Sequence, residues 1–179
     1  MAVGFIPVET EEEIEELAEL AGSIWREYWP ALIGEAQTEY MIQQFQSLEA
    51  IKRQLEHEDY EYWFIRAANT DDDGKPLGTT RIVGFTGGHN EPETNRFFIS
   101  KIYLLAAERG RGFASQTIKF YEQLCRARGF GAMYLTVNKG NELGIRAYKG
   151  KGFDTIDAVE TDIGEGYIMD DYIMEKRFS

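Results

Sequence analysis

The stretch Glu108-Arg109-Gly110-Arg111-Gly112-Phe113-Ala114 decides how the rest of the chain is interpreted. It follows an apolar run, residues 96–107, that predicts a strand, and it precedes residues 115–128, which predict a helix. Glycines at the mouth of a helix let backbone N–H groups close around an anion, and the helix N-terminus adds about half a positive charge. With its two arginines, the stretch predicts a pyrophosphate cradle. The alternative is a strand-to-helix turn with two solvated arginines.

The charge of the chain is unevenly distributed. The net charge is −12, yet residues 108–153 contain nine basic and three acidic residues, so this segment carries +6 and the remainder −18. One part of the chain therefore suits an anionic ligand and the other a cationic one. The acidic excess argues against general nucleic-acid binding, which needs a basic surface.

The composition predicts one soluble domain over residues 1–179. No apolar run approaches the ~20 residues of a membrane span, and the N-terminus lacks the basic region of a signal peptide, so we expect a cytoplasmic protein without membrane contact. The single cysteine, Cys125, excludes an internal disulfide, and its helical spacing from Ile118 and Tyr121 predicts core packing. His57 and His89 lie far apart in sequence, which predicts no metal site.

Periodicity and turn residues predict the order of the elements. A capping box at Thr10–Glu13 opens a helix that ends before Pro30. After a connection at 31–38, two short helices are predicted at 39–45 and 48–56, the second capped by Ser47. The remaining predictions are strands at 4–8, 60–68, 77–89, 96–105, 133–137, 153–161 and 167–178, with a helix from Asn141 to about Lys149. The result is an α/β fold, a mixed central sheet of about seven strands with helices on both faces.

This order excludes two nucleotide-binding motifs. In a dinucleotide-binding fold the glycine-rich turn follows the first strand, whereas here it follows about the fourth. A Walker loop is excluded because no Gly-Lys-Ser/Thr sequence follows.

Two blocks resemble the GNAT superfamily of acyl-CoA N-acyltransferases. Arg109-x-x-Gly112-x-Ala114 is similar to the family's R/Q-x-x-G-x-G/A signature. The segment from Asn141 to Tyr148, followed by Gly152-Phe153, is similar to its N-x-x-A-x-x-x-Y-x-x-x-G-F block, with Gly144 in place of the usual alanine. The aromatic block at 25–45 and the ending at 168–176 look most like bacterial polyamine acetyltransferases of the PaiA type.

The resemblance implies direct attack of an amine on the thioester of acetyl-CoA, with no covalent enzyme intermediate and no metal. It places Tyr148 as the acid that protonates the leaving thiolate, although an aromatic residue on the core face of a helix is the alternative. The backbone of the central strand would pair with the pantetheine amides and donate to the carbonyl oxygen. The implied co-substrate contacts are Ile102, Leu104, Arg109, Gly110, Arg111, Gly112, Phe113, Ala114, Ser115 and Asn141.

The acceptor is predicted from charge to be a small cationic amine such as spermidine or spermine. Candidate carboxylates for binding it or for accepting its proton are Glu27, Glu35, Asp170 and Asp171. Strand alternation predicts that at most one of the last two faces the acceptor. Acetylation of protein N-termini and non-catalytic acyl-CoA sensing are the alternative functions, and the oligomeric state is expected to be monomer or homodimer.

Overall fold

A computed structural model describes residues 2–178 of the chain. The strands are β1 Val3–Pro7, β2 Tyr60–Thr70, β3 Pro76–Glu91, β4 Arg96–Leu104, β5 Ala132–Asn138, β6 Asp154–Gly164 and β7 Tyr167–Arg177. The α-helices are α1 Glu11–Tyr28, α2 Pro30–Ile33, α3 Glu35–Met41, α4 Leu48–His57, α5 Phe113–Arg128 and α6 Glu142–Gly150. Single 3-10 turns lie at Pro92–Thr94 and Ala106–Glu108, and a π-helical turn lies at Ile42–Gln46.

The strands form one mixed sheet in the order β1-β2-β3-β4-β5-β7-β6. Only the β4–β5 ladder among those described is parallel, while β1 with β2, β5 with β7 and β6 with β7 pair antiparallel. The predicted α/β fold with a central β4 is therefore confirmed.

The segment between α1 and α4 differs from the prediction. Residues 31–38, expected as a connection, are helical, because Pro30 begins α2 at a position where its missing N–H costs nothing. Gly34, with φ of +86°, separates α2 from α3. The helix expected at 39–45 starts at Glu35 and continues into the π-helical turn. The capping box of Thr10 and Glu13 and the Ser47 cap of α4 are confirmed.

The chain divides into two compact units, which share β3, β4 and α5. The first unit runs to Gly88 and resumes over Lys101–Phe120. Its sheet has helices on both faces, because successive β2 residues point to opposite sides. Tyr62 and Phe64 pack with α1 and α4, whereas Ile65 and Ala67 pack with Phe113 of α5.

The second unit comprises His89–Ser100 and the chain from Tyr121 onward. Its buried residues include Met133, Leu135 and Val137 of β5, and Phe97 of β4 packs against Tyr121 of α5. Cys125 is fully buried on the same helix, so its predicted role in core packing is confirmed. Burial raises the pKa of its thiol to about 11.

Candidate active site

The glycine-rich loop leads directly into α5, two residues earlier than the sequence predicted. Gly112 ends the loop, and its carbonyl accepts the first helical hydrogen bond, from Gln116 N at 3.1 Å. Gly110 and Gly112 have φ of +77° and +87°, values that favour glycine. The N–H groups of Phe113, Ala114 and Ser115 have no intrahelical acceptor, as at the start of any α-helix. These amides and the helix dipole fit a phosphate group.

The acidic residue beside the loop is neutralised by arginines. Glu108 accepts hydrogen bonds from Arg81 Nε at 2.7 Å and Nη2 at 2.9 Å, and Arg111 Nε lies 3.9 Å from the same carboxylate. The bond from Arg81 lowers the pKa of Glu108, so it stays ionised and paired. The carboxylate therefore offsets little of the positive charge that the loop presents to an anion.

The aromatic end of α1 lies against β4 and Arg109. Trp25 stacks on Trp29 with ring centroids 5.0 Å apart and meets Tyr103 of β4 edge-on at 5.5 Å. The guanidinium carbon of Arg109 lies 5.0 Å from the centre of the Tyr28 ring. Burial raises the pKa of Tyr28, while the charge of Arg109 opposes that rise. A cation–π contact thus orients Arg109 at the beginning of the loop.

The described pairing of the central strand with β5 ends before the residues where the resemblance placed the co-substrate. Phe97 packs against Tyr121 of α5, and Leu104 belongs to the cluster around Phe113 at the start of the same helix. The β4–β5 ladder spans Arg96–Phe98 and Ala132–Tyr134, while the strands continue to Leu104 and Asn138.

Asn141 and Tyr148 both lie on α6, in the second unit. Asn141 Oδ1 caps the helix by accepting from Gly144 N at 3.0 Å, which confirms the predicted cap. A Cβ on residue 144 would lie 2.6 Å from Asn141 Nδ2, so the glycine found there makes room for this cap. Tyr148 is half-buried, and its ring meets Phe153 edge-on at 5.7 Å.

The four predicted carboxylates have different surroundings. Glu27 on α1 and Glu35 at the start of α3 are exposed and belong to the first unit. Asp170 Oδ1 lies 2.7 Å from Lys139 Nζ, whereas Asp171 is only 5 % exposed. Burial raises the pKa of Asp171 to about 6, the charge of Asp170 adds to the rise, and Lys139 opposes it. Of the four, Asp171 alone combines burial with a raised pKa.

Sequence reasoning missed Lys101 of β4. It is buried, and its amine donates to the carbonyl of Phe45 at 2.7 Å. The sequence signal is a lysine inside the apolar run at 96–105, which by itself does not distinguish an inward from an outward side chain.

Two kinds of feature are absent from residues 2–178. No helix within that range has the length and apolar composition needed to cross a lipid bilayer. Over the same range, no group of three or more His, Cys, Asp or Glu side chains could hold a metal ion.

Comparison with known proteins identifies one family. Residues 19–153 match the profile of the Acetyltransferase (GNAT) family. No curated protein sequence matches the chain.

Several solved structures share the fold. The PaiA N-acetyltransferase from Thermoplasma acidophilum, in complex with coenzyme A, has 21 % identity and a TM-score of 0.72, with 99 % of this chain and 100 % of that chain covered. A GCN5-related N-acetyltransferase from Rhodopseudomonas palustris has 17 % identity and the same TM-score of 0.72, covering 99 % and 97 %. A chimera of the spermidine N-acetyltransferase SpeG from Vibrio cholerae and hSSAT has 14 % identity and a TM-score of 0.67, covering 99 % and 96 %.

Proposed function

This chain belongs to the GNAT family of acetyltransferases and uses acetyl-CoA, and we propose that its acceptor is the primary amine of a small cationic molecule, with a polyamine as the first candidate. Two of the similar structures support the choice of acceptor, one being a PaiA acetyltransferase and another a spermidine acetyltransferase. At identities of 21 % and 14 %, these structures show a shared fold and not a shared acceptor. The proposal of a cationic acceptor therefore depends mainly on the chemistry of this chain.

The observation that carries the cationic acceptor is the buried carboxylate of Asp171. Its neighbour Asp170 already has a cationic partner in Lys139, whereas Asp171 points to the opposite face of β7. Lys139 forms its ion pair with Asp170, and its charge only partly opposes the raised pKa of Asp171. A buried carboxylate in such surroundings favours a cationic ligand, because an opposite charge offsets the cost of burial. The net charge of −18 outside residues 108–153 favours the same acceptor.

Each step of the proposed reaction uses a group of this chain. The first-turn amides of α5 and Arg109 would hold the pyrophosphate, with Asn141 on the pantetheine arm. The neutral amine nitrogen attacks the thioester carbonyl carbon, and a backbone N–H of Ile102 or Leu104 stabilises the negative charge on the oxygen. The carbon–sulfur bond then breaks, and Tyr148 donates a proton to the leaving thiolate. The second proton that the nitrogen loses as the amide forms restores the Tyr148 hydroxyl, so one proton passes in net from nitrogen to sulfur.

Asp171 is the proposed general base. The acceptor amine is protonated at neutral pH, so it must lose a proton before it can attack. A carboxylate with a pKa of about 6 is ionised at pH 7 and still basic enough to take that proton, directly or through water. Glu27, Glu35 and Asp170 then remain as carboxylates that attract the acceptor.

A turnover assay with acetyl-CoA tests the proposal. We expect spermidine and spermine to be acetylated with a higher kcat/KM than amino acids, aminoglycosides or peptide N-termini. Tyr148→Phe keeps the ring that packs on Phe153 but lacks the hydroxyl. We expect its kcat to fall by roughly 10²–10⁴, with nearly unchanged acetyl-CoA affinity by calorimetry.

Other outcomes would point to the alternative functions. Faster turnover of neutral peptide N-termini than of spermidine would exclude the cationic acceptor and favour N-terminal acetylation. Tight binding of acetyl-CoA without turnover of any amine would favour a sensor. A Tyr148→Phe enzyme with the wild-type rate would leave Tyr148 with a packing role only.

A further inference from the structure

Lys101 has no role in the proposed reaction, yet it is a buried lysine on the central strand, at 5 % exposure. Its side chain enters the cluster formed by Tyr62 of β2 and residues of α1 and α4, the same face on which Tyr103 lies. Burying an amine this deeply is costly, so its hydrogen bonds must repay the loss of hydration.

The amine completes a closed set of hydrogen bonds. Lys101 Nζ donates to Phe45 O at 2.7 Å, lies 3.3 Å from Gln54 Oε1 and is hydrogen-bonded to the Tyr62 hydroxyl. Gln54 Nε2 donates to the same Phe45 carbonyl at 3.2 Å, and the Tyr62 hydroxyl donates to Gln54 Oε1. Donors from β4 and α4 thus meet at one carbonyl group, and the Tyr62 hydroxyl of β2 bonds to both of these side chains.

The Phe45 carbonyl belongs to the π-helical turn, whose last carbonyl groups have no N–H donor within the helix. At three consecutive residues of the turn, side chains donate to these carbonyl groups instead. Ser47 Oγ donates to Gln43 O at 2.8 Å, and Arg53 Nη2 donates to Gln44 O at 3.0 Å. Ser47 directly follows the turn and Arg53 belongs to α4, whereas Lys101 comes from the sheet. Lys101 therefore ties the turn to the central strand.

The backbone of the same residue is also held. Thr86 of β3 is fully buried, and its hydroxyl donates to Lys101 O at 2.6 Å. Lys101 directly precedes Ile102, the first of the two β4 residues proposed to contact the co-substrate. Its side chain and its carbonyl are thus both fixed directly before the residues proposed to contact the co-substrate.

We propose that Lys101 is a positioning residue for acetyl transfer: its amine holds the C-terminal part of β4 against the π-helical turn and so fixes the backbone of residues 102–104. This inference rests on the proposed function for its catalytic consequence, but the tether itself is a property of the fold. Burial lowers the pKa of Lys101 well below its usual value, and the Tyr62 hydroxyl can donate to the neutral amine or accept from the charged one.

The test replaces Lys101 by methionine, which has a similar length and no amine. We expect kcat to fall about 10- to 100-fold, because small errors in position at a reacting group carry penalties of this size, while KM for acetyl-CoA changes little. Hydrogen–deuterium exchange should become faster in peptides covering 42–46 and 101–104, with little change in melting temperature. Lys176→Met is the matched control, since Lys176 Nζ also donates to a main-chain carbonyl, Lys151 O at 2.8 Å, but from β7. We expect it to keep both the rate and the exchange of these two peptides.

A folded Lys101→Met protein with wild-type kcat and exchange would overturn the proposal. If the wild-type protein acetylates no amine, the proposed function fails, and hydrogen–deuterium exchange alone tests the tether. Exchange rates at 42–46 and 101–104 that are the same in Lys101→Met and the wild type would exclude the tether, and faster rates in Lys101→Met would support it. If Lys101→Met does not fold, Tyr62→Phe decides, because it removes one partner and keeps the amine. We expect kcat to fall several-fold there, and a wild-type kcat would count against the tether.

Discussion

Two adjacent carboxylates on β7 show how much the surroundings of one residue determine its chemistry. Asp170 lies beside Lys139 and is half-exposed, with 48 % of its side chain accessible. Asp171 points to the other face of the strand and is buried. The two side chains are chemically identical, so a pair of asparagine substitutions separates the effect of position from the effect of charge.

We expect Asp171→Asn to remove the inflection near pH 6 from the pH–rate profile. In the wild type, kcat/KM should fall as pH decreases through about 6, because the base becomes protonated. In Asp171→Asn the residual rate should be much lower and should follow only the protonation of the acceptor amine, without an inflection near pH 6. Asp170→Asn is the control and should keep this inflection. A pH profile of Asp171→Asn identical to that of the wild type would exclude Asp171 as the base.

The same substitution should also change how the free energy of unfolding depends on pH. The pKa of Asp171 is raised from 3.8 to about 6 on folding, so between these values the folded protein binds more protons than the unfolded chain. The contribution of Asp171 to stability therefore decreases as pH rises through this window, on the order of 3 kcal/mol at most. The free energy of unfolding of the wild type minus that of Asp171→Asn, measured in urea at pH 4 and pH 7, should decrease by up to this amount.

Sequence reasoning reached part of this residue-level detail. Alternation predicted that Asp170 and Asp171 face opposite sides, but not which one is buried or that Asp170 pairs with Lys139, which lies 31 positions earlier. The role of Lys101 could not be predicted, because its partners Phe45, Gln54 and Tyr62 come from distant parts of the sequence.

At the scale of elements, the start of α5 makes the co-substrate site testable without disturbing the fold. A valine at Gly112 would be strained, because φ there is +87°. Ser115 is exposed in the first turn of the helix, where a carboxylate stabilises the helix dipole but repels a pyrophosphate.

We expect Ser115→Asp to weaken acetyl-CoA binding by about tenfold or more while the melting temperature stays equal or rises. Ser115→Asn has nearly the same shape and no charge, so it should bind within a few-fold of the wild type. Isothermal titration calorimetry with both variants measures this difference. Equal affinity of the two variants would place the pyrophosphate elsewhere.

The elements with strong periodicity were predicted well, and those without it were not. The apolar spacing of α1, α4 and α5 and the caps Thr10, Ser47 and Asn141 agree with the structure. Helices α2 and α3 are too short to show a period, and Pro30, which predicts the end of α1, also begins α2. The π-helical turn has no sequence signature of its own.

At the scale of the whole molecule, the uneven charge predicts how the acceptor responds to salt. The part outside residues 108–153 carries −18, which attracts a polycation at a distance, and salt screens this attraction. At saturating acetyl-CoA, KM for spermidine should rise about fivefold or more between roughly 0.02 and 0.3 M salt. A monoamine acceptor with no further charge is the control and should change far less. A KM for spermidine that is independent of salt would exclude long-range attraction.

The single cysteine gives the molecule a useful property. Cys125 is buried in α5, and its thiol, with a pKa of about 11, is protonated at neutral pH. Maleimides and iodoacetamides react with exposed thiolates, so the native chain resists alkylation. A cysteine introduced at an exposed position would be the one reactive thiol, and a fluorophore or spin label could be attached there without removing Cys125.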